Sequence, residues 1–254
     1  MQSRQTHLPF LTPGQTFPVV DQAWGPNSPA DGLLAAGGQL DVETLKRAYS
    51  HGIFPWFSEG QPILWWSPNP RMTLDVANFR LHRSLKQSIE KFRSNPECEV
   101  RFDTAFESVI TLCAQSARRG QPGTWILPDM VEAYIALHRA GFAHSVETWV
   151  DGRLTGGLYC VAIGKAIFGE SMFSLESNAS KIALCAVVCF CKANDIKVID
   201  CQQNTPHLAS LGATEIGREV FLECVQKAQK QPVSRWYFEP LYWNEILVSR
   251  SPVP

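Results

Sequence analysis

Residues 144–173 read "HSVETWVDGRLTGGLYCVAIGKAIFGESMF". Three runs rich in apolar, β-branched and aromatic residues, HSVETWV, LTGGLYCVAI and AIFGESMF, are separated by Asp151-Gly152 and Gly164-Lys165. Both pairs are hairpin signals, because a tight turn needs residues that tolerate positive φ. The stretch therefore predicts a three-strand meander. Ahead of it, residues 128–140 read as a helix. Asp129 and Glu132 have capping-box spacing there, Met130, Ala133, Tyr134 and Leu137 form the stripe, and Gly141 ends it. After the meander comes the apolar helix "ASKIALCAVVCFCKAND" with Asn178 as candidate cap, then the strand "KVIDCQ". A short helix at 206–211 and a longer one, "EVFLECVQKAQ", complete the order. The class is α+β, with a mixed, mostly antiparallel sheet flanked by helices.

The order of helix, meander, helix, strand and helix matches the acetyltransferase-like (GNAT) arrangement. There the third meander strand and the next strand run parallel and splay into a cleft. A coenzyme A enzyme needs a Gly-rich loop at the start of the connecting helix, whose N–H groups hold the pyrophosphate. Here that position reads "SLESNASK", with no glycine and with Glu176. The acyl group is expected to arrive on another carrier.

Toward the N-terminus, residues 1–30 are rich in Pro, Gly and polar residues and read as an irregular arm. A short helix follows, with Asp41 as N-cap, Val42, Leu45, Ala48 and Tyr49 as its stripe, and Gly52 as its end. "PILWW" reads as a strand stopped by Pro68 and Pro70, so Trp65 and Trp66 face opposite ways. A boundary near residue 70 separates a small aromatic- and Pro-rich N-terminal domain, 1–70, from a larger domain, 71–254.

Segment 80–93, "RLHRSLKQSIEKFR", reads as an amphipathic helix with Leu81, Leu85, Ile89 and Phe92 on one side. From residue 71 to 93 the bases Arg71, Arg80, Arg83, Lys86, Lys91 and Arg93 face only Asp75 and Glu90. This is either a solvated face or a local phosphate-contacting patch. Net charge is −1, so no general attraction to nucleic acid is implied. No apolar run approaches the roughly 20 residues of a membrane helix, and no secretory signal is visible. The eight Cys include no C-x-x-C pair and read as reduced thiols of a cytoplasmic protein, with zinc the lesser reading.

Strand parity suggests where chemistry sits. In "FGESMF", Glu170 and Met172 are expected on one face and Ser171 and Phe173 on the other. In "IDCQ", Asp200 and Gln202 share a face opposite Cys201. Flanking one cleft, Glu170, Asp200 and Gln202 would converge. Neutral readings stand beside this one: Glu170 pairing with Lys181, and Asp200 capping the turn into the 206–211 helix.

Together "GIFPWFSEGQPILWWSPNPR", "GTWI", "VEAYIALHRAGFAHSVETW", "GGLYCVAIGKAIFGESMFS", "NASKIAL" and "DCQQNTPHLASLGA" resemble the leucyl/phenylalanyl-tRNA–protein transferase family. The resemblance runs in order from about residue 32 to 213. It implies transfer of Leu or Phe, and also Met, from aminoacyl-tRNA to the α-amino group of proteins beginning with Arg or Lys. The product enters N-end-rule degradation. It further implies Asp200, Gln202 and Glu170 as catalytic residues and Trp56 and Trp125 at the tRNA 3′-adenosine. Leu158 and Met172 would line the donor pocket, and Arg83 and Lys86 would touch tRNA. Leu158 stands where relatives often carry Met, and Cys191 where a relative can carry Phe. The donor ester is already activated, so no cofactor and no metal is expected, and the enzyme is expected to act as a monomer. Two other readings remain at this point: an N-acyltransferase using a small thioester, and a non-catalytic RNA-end-binding module.

The chemistry favours positioning. Transfer of a proton from an α-ammonium, pKa about 7.7–8.0, to an ordinary Asp at about 3.9 is uphill by roughly 5.5 kcal/mol. An amide has no useful basicity. Asp200 is therefore expected to orient Gln202 and attract the amine, while Gln202 holds the amine near the ester carbonyl.

Overall fold

The computed structural model describes residues 8–116, 126–233 and 235–248. A small sheet forms first. Phe10–Leu11 (β1) runs parallel to Leu33–Gly37 (β2). Val42–Ser50 (α1) follows, with the Asp41 carboxylate accepting the Thr44 N–H at 2.7 Å, as expected of an N-cap. Phe54–Pro55 (β3) and Leu64–Trp66 (β4) complete the sheet in the order β1-β2-β4-β3. Trp65 is fully buried and donates its Nε1 to the Gly37 carbonyl at 2.8 Å, whereas Trp66 packs on Trp56. The arm is less irregular than its composition suggests, because β1 adds a parallel strand to β2.

Arg71–Asp75 (β5) was not legible as a strand, yet it lies inside the main sheet. Arg83–Ser94 (α2) begins three residues later than the apolar stripe suggested, with His82 at its N-cap. Leu85, Ile89 and Phe92 are its buried face. Cys98–Phe102 (β6) and Phe106–Gln115 (α3) were also unread. Pro128–Arg139 (α4) starts at a proline and its N-cap, Leu127, makes no side-chain bond. The Asp129/Glu132 capping box is therefore not formed: proline at the first helical position lacks the N–H and moves the boundary.

The meander is present as Ala143–Val150 (β7), Arg153–Ile163 (β8) and Ala166–Ser174 (β9). Asp151 (φ 51°) and Gly152 (φ 69°) make the first turn. Ala179–Ala193 (α5) leads to Val198–Gln202 (β10). Asn178 occupies the N-cap position with φ 66° but makes no cap bond; its side-chain amide donates to Ser88 instead. Pro206–Ser210 (α6), Thr214–Ile216 (β11) and Arg218–Ala228 (α7) follow.

The seven-stranded sheet has the order β11-β5-β10-β9-β8-β7-β6. Every pairing in it is antiparallel except β9 with β10, which is parallel at Ile167–Ile199 and Phe168–Asp200. One apolar core lies on the face covered by α2 and α5, with Phe238 and Trp243. The other lies under α1, α3, α4 and α7 and takes in Leu34, Trp65 and Phe54 of the small sheet. The N-terminal domain thus packs on the larger mixed sheet through a shared core. Cys185, Cys189 and Cys191 are buried free thiols on α5, as their apolar setting predicted.

Candidate active site

Two strands that start as a parallel pair separate after Phe168 and Asp200, and the gap becomes a cleft of about 460 Å³. Glu170 enters it from β9. A β-bulge makes this possible: Tyr159 pairs with Ser171 and Cys160 with Gly169, leaving Glu170 as an extra residue without a partner on β8. The bulge overturns the parity expected from the sequence. Met172 packs against the core under α5, while the Glu170 carboxylate meets Tyr49 and Tyr134 of the opposite core. Both nonetheless border the same cleft.

Tyr49, on the last turn of α1, donates to Glu170 Oε1 at 2.7 Å, and Tyr134, on α4, reaches Oε2 at 3.4 Å. The two hydroxyls also touch each other. Gln202 donates its Nε2 to Glu170 Oε1 at 2.9 Å. Desolvation dominates the protonation of Glu170 and raises its pKa from 4.5 to about 8, against the hydrogen bonds from the tyrosines. Burial first, then the nearby Glu170 charge, pushes both tyrosines well above their ordinary value. Neither neutral reading holds: Glu170 bonds to tyrosines and an amide, and the cap of α6 is Thr205 Oγ1, accepting Leu208 N–H at 3.2 Å.

Asp200 and Gln202 both border the cleft and Cys201 lies among the core residues under α5, but regular strand parity is not the cause: the register of β10 on β5 shifts between Asp200 and Gln202, and the left-handed backbone of Gln202 (φ 61°) turns its amide to Glu170. Asp200 is only 2 % exposed and its carboxylate is fully engaged. Arg71 donates Nε to Oδ1 at 2.8 Å and Nη2 to Oδ2 at 2.6 Å, and the Gln202 backbone N–H donates to Oδ1 at 2.9 Å. The expectation that Asp200 attracts an incoming amine is corrected by this geometry, since its charge is already met by a guanidinium. Arg71 is equally displaced from its expected surface patch: it is fully buried. Arg71, Tyr49 and Tyr134 are the residues sequence reading missed. The alternation of Met72 and Leu74 with Arg71 and Thr73 in "RMTL" was the only local signal that Arg71 sits on a strand.

Beyond Glu170 one wall of the chamber is apolar, while Gln203, Thr205 and His207 line another part of it. Leu158 and Met172 pair across β8 and β9, and Leu184, Val187 and Ile199 continue the wall. Cys191 is fully buried in α5 and is not part of this wall. Burial pushes the Cys201 thiol up to about 12, so it is no thiolate nucleophile. Trp56 stands in the rim, its ring 5.5 Å from that of Trp66. Trp125 lies outside the described residues. Arg83 is exposed and Lys86 half-buried on α2, away from the cleft wall. The start of that helix is tied to α6, which does border the cleft, by His82 Nε2 with Ser210 O at 2.9 Å.

A partly apolar chamber with a buried carboxyl and a convergent amide and tyrosines, on a mixed α+β fold, is the kind of concave site in which enzymes hold an apolar substrate group. The comparisons narrow the class. Residues 73–226 match the model of the leucyl/phenylalanyl-tRNA protein transferase family, and residues 38–69 match the model of its N-terminal domain. A leucyl/phenylalanyl-tRNA–protein transferase of Albidiferax ferrireducens is 62 % identical over 99 % of both chains. Relatives of the same name from a Polaromonas species and from Leptothrix cholodnii are 59 % and 54 % identical over 96 % and 94 % of both chains. The chain belongs to the leucyl/phenylalanyl-tRNA–protein transferase family and is an aminoacyltransferase.

Proposed function

We propose that this chain moves Leu, Phe or Met from aminoacyl-tRNA to the α-amino group of proteins beginning with Arg or Lys, marking them for N-end-rule degradation. It acts in the cytoplasm as a monomer, without metal or cofactor. The transfer domain, 71–254, is acetyltransferase-like, and 1–70 is the small domain that closes one side of the site. The parallel β9–β10 pair joined by α5 supports the scaffold reading. Among the described residues, no helix is long and apolar enough to cross a membrane.

The observation that carries the assignment is the meeting of Glu170 and Gln202 on one hydrogen bond beside the apolar chamber. The donor side chain occupies the wall of Leu158 and Met172, and its terminal nucleoside stacks at Trp56, with Trp125 as its expected second partner. A neutral acceptor amine attacks the ester carbonyl, so the new N–C bond forms as the bond to the tRNA 3′-oxygen breaks. Glu170, titrating at about 8, accepts the proton that nitrogen loses, a transfer nearly balanced against an amine of pKa about 7.7–8.0. Glu170 then returns that proton to the leaving 3′-oxygen, which restores the carboxylate for the next turnover. Gln202 has its N–H₂ on Glu170, and its carbonyl is the acceptor that holds the amine. Asp200 is a positioning residue rather than the base.

Arg83 and Lys86 make phosphate contacts that hold the tRNA without reading its sequence. The test is turnover of an Arg-initiated peptide with separately charged tRNAs. Transfer of Leu and Phe, little of Val, and none from acyl-coenzyme A is expected; transfer only from the thioester would refute the carrier assignment.

A further inference from the structure

The Arg71 guanidinium has more to hold than Asp200. Its third donor, Nη1, reaches the Gly52 carbonyl at 3.1 Å. Its face lies 4.8 Å from the centre of the Phe54 ring and 4.6 Å from that of Phe221. Gly52 (φ 69°) follows the C-cap of α1, His51, and donates its N–H to the Tyr49 carbonyl at 3.0 Å. Tyr49 in turn donates to Glu170. On the other branch, Asp200 takes the backbone N–H of Gln202, and the Gln202 amide also ends on Glu170. Arg71, Gly52, Tyr49, Glu170, Gln202 and Asp200 thus form a closed ring of contacts.

The strained member of the ring is Gln202, whose φ of 61° lies in the left-handed region. That conformation is unfavourable by about 1–2 kcal/mol for a non-glycine residue, so something must hold it. Asp200 Oδ1 does so, and the Arg71 fork fixes Asp200 in its turn. A buried ion pair of this kind is weak evidence for stability, because desolvating both charges offsets their attraction. Its geometric effect is the stronger account of why it is there.

We propose that Arg71 is a positioning residue for aminoacyl transfer: through Asp200 it holds the bent backbone at Gln202, and through Gly52 the last turn of α1, so that amide and hydroxyl converge on Glu170. The proposal rests on reading Glu170 and Gln202 as the amine site. A lysine cannot replace the fork, since an ammonium is a point charge without two parallel donors.

The test uses the full chain with charged tRNA and an Arg-initiated peptide. Arg71→Lys retains the charge and is expected to stay folded. It should lower kcat by at least tenfold, and Arg71→Ala by about 10²-fold, the scale of an ångström-sized misplacement. KM for charged tRNA should remain near wild type in both. Truncating Arg71 to Ala empties the space its guanidinium fills beside the Asp200 carboxylate, next to a second crevice of about 200 Å³ bordered by Phe168, Phe221 and Asp200. Guanidinium at non-denaturing concentration should therefore restore part of the Arg71→Ala turnover, while ammonium at equal ionic strength should not. A merely structural role would not produce that difference. Adding Asp200→Asn to Arg71→Ala should remove little more activity. Wild-type kcat in Arg71→Lys, or loss with neither rescue nor coupling to Asp200, would overturn the proposal. Failure of both variants to fold would assign Arg71 to stability and overturn it equally. Glu170→Gln is assayed alongside: wild-type turnover there defeats the reading of the site itself, independently of Arg71.

Discussion

Replacing Glu170 by Gln removes one titrating group while leaving the shape of the site nearly unchanged, and its consequence for stability has a definite sign. Desolvation raises the Glu170 pKa from 4.5 to about 8. In the unfolded chain a Glu titrates near 4.3. Between those values the native state holds one proton more than the unfolded state, so stability falls as pH rises and levels off above about 8. A shift of this size corresponds to a ceiling of about 5 kcal/mol at 1.36 kcal/mol per unit. Glu170 is only partly buried at the cleft wall. Solvent screening there reduces the expected change to about 2 kcal/mol. Gln cannot titrate, so Glu170→Gln should gain about 2 kcal/mol over wild type between roughly pH 5 and pH 8.5. Urea unfolding of both proteins at the two pH values, with slopes compared to confirm equal exposure, measures this directly. A stability difference that stays constant with pH would refute the argument that Glu170 is held protonated by burial, and with it the matched proton transfer to this residue.

Other expectations concern substrates. Tyr49→Phe and Tyr134→Phe remove donors that stabilise ionised Glu170, so the acid limb of the kcat/KM profile should move to higher pH; a move to lower pH contradicts the hydrogen-bond assignment. Trp56→Ala should weaken a minimal aminoacyl-adenosine donor by ~1–3 kcal/mol, the worth of one stacked base, as read from its KM. Charge removal at Arg83 and Lys86 should raise KM for charged tRNA and flatten its salt dependence, with little effect on that minimal donor. Equal loss with both donors would place these residues in folding instead. Met172→Ala should penalise a Leu donor more than a Phe donor, because the wall that retreats is the one a smaller side chain needs; the opposite order in a competition assay removes Met172 from that wall.

What the sequence determined by itself was local. Asp151-Gly152 and Gly164 set the meander because a tight turn demands positive φ from the residues at its corner. Asp41 caps α1 through an N–H three residues on, and the apolar length of α5 announces a buried helix. The family resemblance added roles that no periodicity contains. Tertiary structure decided the rest, and in each case the deciding partner lies on another element. Arg71 reads as one of a row of surface bases until Asp200, 129 residues away, makes it an interior ion pair. Glu170 leaves its expected face because β8 opposes two residues of β9 with one of its own, a mismatch that neither strand shows alone. The start of α3 has no capping side chain of its own; Glu147 on β7 accepts the Thr104 and Ala105 N–H groups at 2.9 and 2.8 Å. Periodicity and turn chemistry act over a few residues, so they are written in the sequence. The partner of a buried charge, and the strand opposite a bulge, exist only once the chain has closed on itself.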